Sequence, residues 1–435
     1  MNPSLSPSMR GMRSPVPMSE RSITRRHLFL LAAIGLLFLS VVIPNSLPVP
    51  TAAMLGLTAV LALPGFRFGL GFKKLLALYV CTAMVTVIYT AVGYLNDAPP
   101  EAAAQMLVIY ILSPLLWMLV AAGLMRAPGP GRLVDWFAIL TVFACASVAL
   151  YFYLYFHYGA DAVSFFFKGQ ANINLQGGFA GAIMHVYGSL IFLAGGFYSS
   201  PELIRSRLLR MAVLAMIFVC AVTSGRSALI LAIPVGWVLG RLLGPRTVGF
   251  HRSLTSPLSR MIKVGLPMLV GMVAVVVLLQ TYTSVRLDVI YDSFADKISS
   301  GGGTSRVGMA GSLFQGILDN GGIGAGHGKG VSFVSSAEYP WRYELVWLAT
   351  IYRVGLLGAA VYAFPFFVYI VRVLRLARAR QLPPHHKFLF SAFVAAFIAS
   401  NTNPYIEAFA FQWMYTIPLV ALFVEFPSGV ERVPA

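Results

Sequence analysis

Arginine holds a phosphate through a planar fork of donors and keeps its charge at any physiological pH. Two arginines stand in matching company in this chain. Arg226 lies in "TSGRSALILAIPVG" and Arg306 in "TSRVGMAGSLFQG"; each comes just after a Thr-Ser, and each is followed ten positions on by a glycine, Gly236 and Gly316. Arg286 and Arg342 stand at the edges of nearby apolar runs, and Lys329 and Lys168 add two further cations. Charge at the lip of an apolar run marks function by default. Guanidinium groups gathered there suit a diphosphate. A reaction at that diphosphate would need a proton acceptor, and two are on offer: Glu344 in "RYELVW", just ahead of an apolar stretch, and His327 in "GAGHGKG". Plainer roles exist for each. Arg286 and Arg342 could touch lipid headgroups, Glu344 could pair with Arg342 or Arg353, His327 could sit in solvent, and Lys168 could belong to an interfacial aromatic belt.

Other chemistries find no support. The chain has no Walker-type loop, no Asp-x-Asp pair and no His-Glu-x-x-His. Its three cysteines, Cys81, Cys145 and Cys220, lie in apolar runs without a Cys-x-x-Cys. No metal site and no cofactor are therefore expected.

The elements that must position these residues are helices in a membrane. Of 435 residues, 58% are hydrophobic and 11% charged, against about 25% charged in a soluble protein. Apolar runs of membrane-spanning length, roughly 20 residues, recur throughout. The chain reads as an all-α polytopic membrane protein of about twelve transmembrane helices, near 28–45, 50–65, 74–95, 103–125, 134–156, 177–198, 206–224, 226–243, 262–283, 354–374, 387–401 and 407–425. Residues 1–26 form a disordered basic tail, 27–283 carry helices one to nine, 284–353 form a long loop, 354–425 carry helices ten to twelve, and 426–435 form a second tail. The first helix is too long for a cleaved signal. With both tails in the cytoplasm, only Lys168, Arg226, Arg286, Lys297, Arg306, Lys329, Arg342 and Arg353, of 32 Lys and Arg, fall outside. The net charge of +17 is thus a topology signal and an attraction to membrane lipid, and no nucleic-acid partner is implied.

The loop 284–353 is long enough to be functional. Its glycine runs would let backbone N–H groups converge on an anion or a sugar, unless it is a flexible linker. "SRVGMAGSLFQGIL" and "WRYELVWLATIY" predict two short amphipathic helices within it. Elsewhere, His185 would line a cavity or hydrogen-bond a neighbouring helix, and Glu407 in "SNTNPYIEAF" would bind a sugar or cap a helix end.

A span ending in "TSGRSALI", a further span, a long outer loop with arginines, and "RVGLLG" opening the next span together resemble the O-antigen ligase and O-antigen polymerase superfamily, over roughly 200–375. The resemblance implies a bacterial inner-membrane, metal-independent glycosyltransferase of the type C multi-span fold with a periplasmic catalytic loop. Its donor would be an undecaprenyl-diphosphate-linked glycan, its acceptor a glycan or lipid-linked glycan, and its partners other polysaccharide-assembly proteins. It implies that Arg226, Arg286 and Arg306 take the diphosphate. Ligases of the family carry His-Asn where this chain has "RYELVW", so a polymerase of a surface or secreted polysaccharide is expected ahead of a ligase acting on lipid A–core. A transporter or flippase of an anionic solute or lipid is the reading from another class.

Overall fold

The computed structural model describes residues 20–64, 69–167, 172–176, 179–224, 226–244 and 304–427. The helices within them are α1 (Glu20–Val41), α2 (Pro48–Ala62), α3 (Leu70–Leu95), α4 (Pro100–Leu107), α5 (Ser113–Arg126), α6 (Pro130–Phe167), α7 (Val186–Ser199), α8 (Arg207–Thr223), α9 (Ser227–Leu242), α10 (Thr304–Asp319), α11 (Val346–Arg378), α12 (Pro384–Ala399) and α13 (Trp413–Glu425). A π-turn, Val108–Leu112, joins α4 to α5. Proline opens α2, α4 and α12, where its missing N–H would have no helical partner in any case. Among the described residues, five helices are long and apolar enough to cross a membrane, and four shorter ones are equally apolar. This is a membrane-embedded protein.

Eleven of the twelve expected spans contain a helix among the described residues; the remaining one, the ninth at 262–283, lies outside them, as do the tails' outer parts. Two expectations need correction. The sixth span's helix starts at Val186 rather than 177: ahead of it Asn172–Gln176 (β1) and Phe179–Ile183 (β2) pair antiparallel, a short hairpin in an otherwise all-α protein. The tenth span begins at Val346 rather than 354, and "WRYE" before it is not helical. Arg353 was expected to fall outside the membrane. Here it lies inside the helix, fully buried and paired.

Every residue of α7 is buried. It packs between α9 and α12, and the approach is close: a Cβ on Gly236 would meet the Gly195 carbonyl oxygen at 2.5 Å. Small residues permit such backbone contact between membrane helices. Aromatic rings fill the neighbouring space edge to face, Phe192 on Trp413 and Phe197 on Phe388, both with centroids 4.8 Å apart.

The described part of the long loop is not a free linker. Met309 and Leu313 of α10 are buried with Tyr343, Ala349 and Tyr352. Gly355 adopts φ 66°, ψ 179° and breaks α11. The break leaves the Tyr352 and Arg353 carbonyls free, and they accept from the amides of Ala325 and Gly326 at 2.8 and 2.9 Å. The Leu356 amide donates back to Gly322 O at 3.0 Å, and the His327 amide donates to Tyr89 O of α3 at 2.8 Å. The glycine run is therefore a strap sewn to α3 and α11, and those amides do not converge on a ligand as the sequence suggested.

Candidate functional site

Arg226 is the residue just before α9, and its amide donates to Ser224 Oγ at 3.1 Å. Its Nη1 donates to Asn403 Oδ1 and reaches Tyr405 Oη at 3.5 Å. Among the described residues it has no carboxylate partner, and its buried Nε has no hydrogen-bond acceptor. A cation at the N-terminus of a helix adds to the positive end of the helix dipole, so the local field invites an anion.

Arg306, near the start of α10, arrives from the other side. Its Nε and Nη2 both lie 2.9 Å from Glu344 Oε2, and Nη2 lies 3.4 Å from Thr402 O. The turn at 402–405 is thus shared by two guanidinium groups that stand eighty positions apart in sequence. The sequence identified both arginines and Glu344, and the fold brings them to one place. Glu344 pairs with Arg306, not with Arg342 or Arg353.

The other expected site residues go elsewhere. Arg342 lies over the Tyr339 ring at 4.5 Å and donates to Gln105 Oε1 at 3.2 Å. Lys329 donates to Asn96 O at 2.8 Å. Both tether the loop to the ends of α3 and α4. Lys168 and Arg286 lie outside the described residues.

His327 is 1% exposed, which overturns the picture of a solvated loop residue. Its Nε2 lies 3.0 Å from Tyr362 Oη, which in turn lies 2.7 Å from Thr86 Oγ1. Nδ1 has no partner among the described residues. Burial first, and the Arg353 charge second, pull the His327 pKa down to about 3. It is a weak base behind the Tyr110 ring, whose centroid lies 5.1 Å from its own.

Sequence reasoning missed the centre of the arrangement. Arg353, 0% exposed, donates from Nη1 to Glu407 Oε1 and from Nη2 to Trp341 O at 2.7 Å. Glu407, 5% exposed, also accepts from Tyr110 Oη at 2.6 Å. Glu407 is neither a helix cap nor turned to solvent. The available signal was a basic and an acidic residue each standing at the same end of an apolar run, since such charges pair. Beside this network is an apolar cavity of about 150 Å³, walled by Leu75, Tyr79, Ile109, Met118, Phe366 and Leu419, with Ile406 and Gln412 at the turn's side.

At the opposite end of α12, His385 and His386 Nε2 each lie 3.0 Å from Glu425 Oε2. The sequence shows no metal motif, yet the fold gathers three possible ligands here. Metal-bound histidines donate their second ring nitrogen to a partner; among the described residues the buried Nδ1 of His386 has none. The trio is better described as a clasp between α12 and α13.

Compared with known proteins, the chain matches no family model, no curated protein and no solved structure.

Proposed function

We propose that the protein is a glycosyltransferase that extends a polysaccharide from polyprenyl-diphosphate-linked units, with Arg226 and Arg306 holding the diphosphate at the outer membrane face. The carrying observation is the shared turn: Arg226, which has no carboxylate partner among the described residues, and Arg306 both point at residues 402–405. In this reading the apolar cavity beside the turn takes part of the prenyl chain.

The acceptor hydroxyl oxygen forms a bond to the anomeric carbon as the bond from that carbon to the diphosphate oxygen breaks. The electron pair leaves on the lipid diphosphate, where the two arginines stabilise it. Preorganised charge at a leaving group is commonly the largest catalytic contribution. The hydroxyl proton goes to Glu344. As the diphosphate engages Arg306, it competes with Glu344 for the same guanidinium and releases the carboxylate to act as base. The side chains of Arg306 and Glu344 are 29% and 45% exposed, so this exchange needs no rearrangement of the core.

Mass spectrometry of lipid-linked glycans and surface polysaccharide, with and without the gene, tests the proposal. Loss should leave single repeat units on the lipid outside. Full-length unattached chains would instead indicate a ligase, units stranded inside a flippase, and an unchanged profile would end the proposal.

A further inference from the structure

The contacts around Arg353 close a ring. Arg306 binds Glu344; three residues back, the Trp341 carbonyl accepts from Arg353; Arg353 binds Glu407; and five residues back from Glu407, the Thr402 carbonyl accepts from Arg306. Two segments that carry site residues, 341–344 and 402–407, are therefore gripped twice. One grip is open to solvent, through Arg306. The other is buried, through Arg353. Asn403 and Tyr405, which receive Arg226, lie on the second segment.

We infer that Arg353 and Glu407 are a positioning pair for the diphosphate site: one buried guanidinium sets the separation of the two segments and, through them, of Arg226 from Arg306. The functional half of this inference rests on the diphosphate reading above. Three features support the assignment. The fork of Arg353 is divided between the segments, one nitrogen to each, so it acts as a spacer where a pair confined to one segment could not. Glu407 is held from a third direction by Tyr110 of the π-turn, which fixes the carboxylate against the bundle. Arg353 itself cannot drift, because the break at Gly355 lets its own carbonyl accept from Gly326. A diphosphate that displaces Glu344 from Arg306 opens the solvent-side grip. The buried grip is what keeps the segments at their spacing while that happens.

Hydrogen–deuterium exchange on the detergent-purified full chain, with binding of geranylgeranyl diphosphate as probe, tests this. In Glu407→Gln, exchange should rise at least tenfold in both 339–345 and 400–408, with 186–199 unchanged, and the Kd for the probe should rise at least tenfold. Arg353→Lys keeps the cation but not the fork. It should leave 400–408 protected, loosen 339–345, and recover part of the probe affinity. Should Glu407→Gln not accumulate, Tyr110→Phe removes one donor and leaves the ion pair; the same two segments should loosen to a smaller degree. Loosening of one segment alone in Glu407→Gln, or loosening everywhere, would overturn the inference, as would a probe Kd equal to that of the wild type. A wild type that ignores the probe would sink the diphosphate reading and the positioning role with it.

Discussion

Two Arg–Glu pairs lie at the same end of the bundle and differ in their access to water. Arg306–Glu344 is 29% and 45% exposed; Arg353–Glu407 is 0% and 5% exposed. The exposed pair is screened and can trade partners, so it adds about 0–1 kcal/mol. The buried pair cannot trade, and removing one member strands a charge at a cost of about 3–5 kcal/mol. The same two residue types thus serve opposite ends: one pair can be opened by a ligand, and the other holds its neighbours in place while that occurs.

The contrast is most exposed to failure in stability measurements. Glu407→Ala should lower thermal stability in detergent by about 3–5 kcal/mol or prevent accumulation, while Glu344→Ala should stay within about 1 kcal/mol of the wild type. Equal losses would erase the distinction. In product formation the order reverses. Arg226→Lys and Arg306→Lys, at matched expression, should lose about 10²-fold or more, because an ammonium keeps the charge without the fork. Glu344→Gln should lower turnover by about 10² without weakening probe binding, which should tighten modestly because the carboxylate no longer competes for Arg306, and full turnover in that variant would leave the arginines to act without a protein base.

A smaller effect concerns pH. His327 is neutral when folded, with a pKa of about 3, and ordinary, near 6.5, when unfolded. The unfolded chain binds the extra proton, so stability should fall as pH drops from about 6.5 toward 3, by up to about 1.4 kcal/mol per pH unit. His327→Gln should remove that slope; an unchanged slope would place its origin elsewhere. Salt gives the smallest signal. Raising ionic strength from about 0.01 to about 1 M shortens the screening length roughly tenfold, which should cut probe affinity through Arg226 and Arg306 and leave exchange at 400–408 unchanged.

Helices were readable because lipid demands that backbone groups be satisfied within each segment, and an apolar run records that demand locally. The pairings were not. Glu344 is 38 residues from Arg306, and Glu407 is 54 from Arg353; only the folded topology brings them together. The tenth span reads in sequence as starting at 354, just past Arg353, whereas its helix starts at Val346 and carries Arg353 inside it, neutralised by the sequence-distant Glu407. The hairpin went unread because β2 lies within the apolar run counted as the sixth span, while β1, with Asn172, Asn174 and Gln176, precedes that run and is only five residues long. Arg226 and Arg306 stood out by their setting, and the fold brings both to the 402–405 turn, whereas the strap was misread because glycine-rich backbone can serve a ligand or a neighbouring helix equally well.

The break at Gly355 also constrains how this chain can vary. A Cβ there would lie 2.1 Å from Ile323 O, and one on Gly326 would lie 2.1 Å from the Gly93 amide nitrogen. Both glycines also hold positive φ, at 66° and 94°. Descendants of this sequence can therefore change the side chains of the surrounding loop while these two positions remain glycine. An engineer varying this loop should treat 322–327 and 353–356 as one indivisible unit and place diversity at the mostly exposed 334–338, beyond Val331 and Phe333, which still pack against the cluster of Met309, Leu313 and Tyr352.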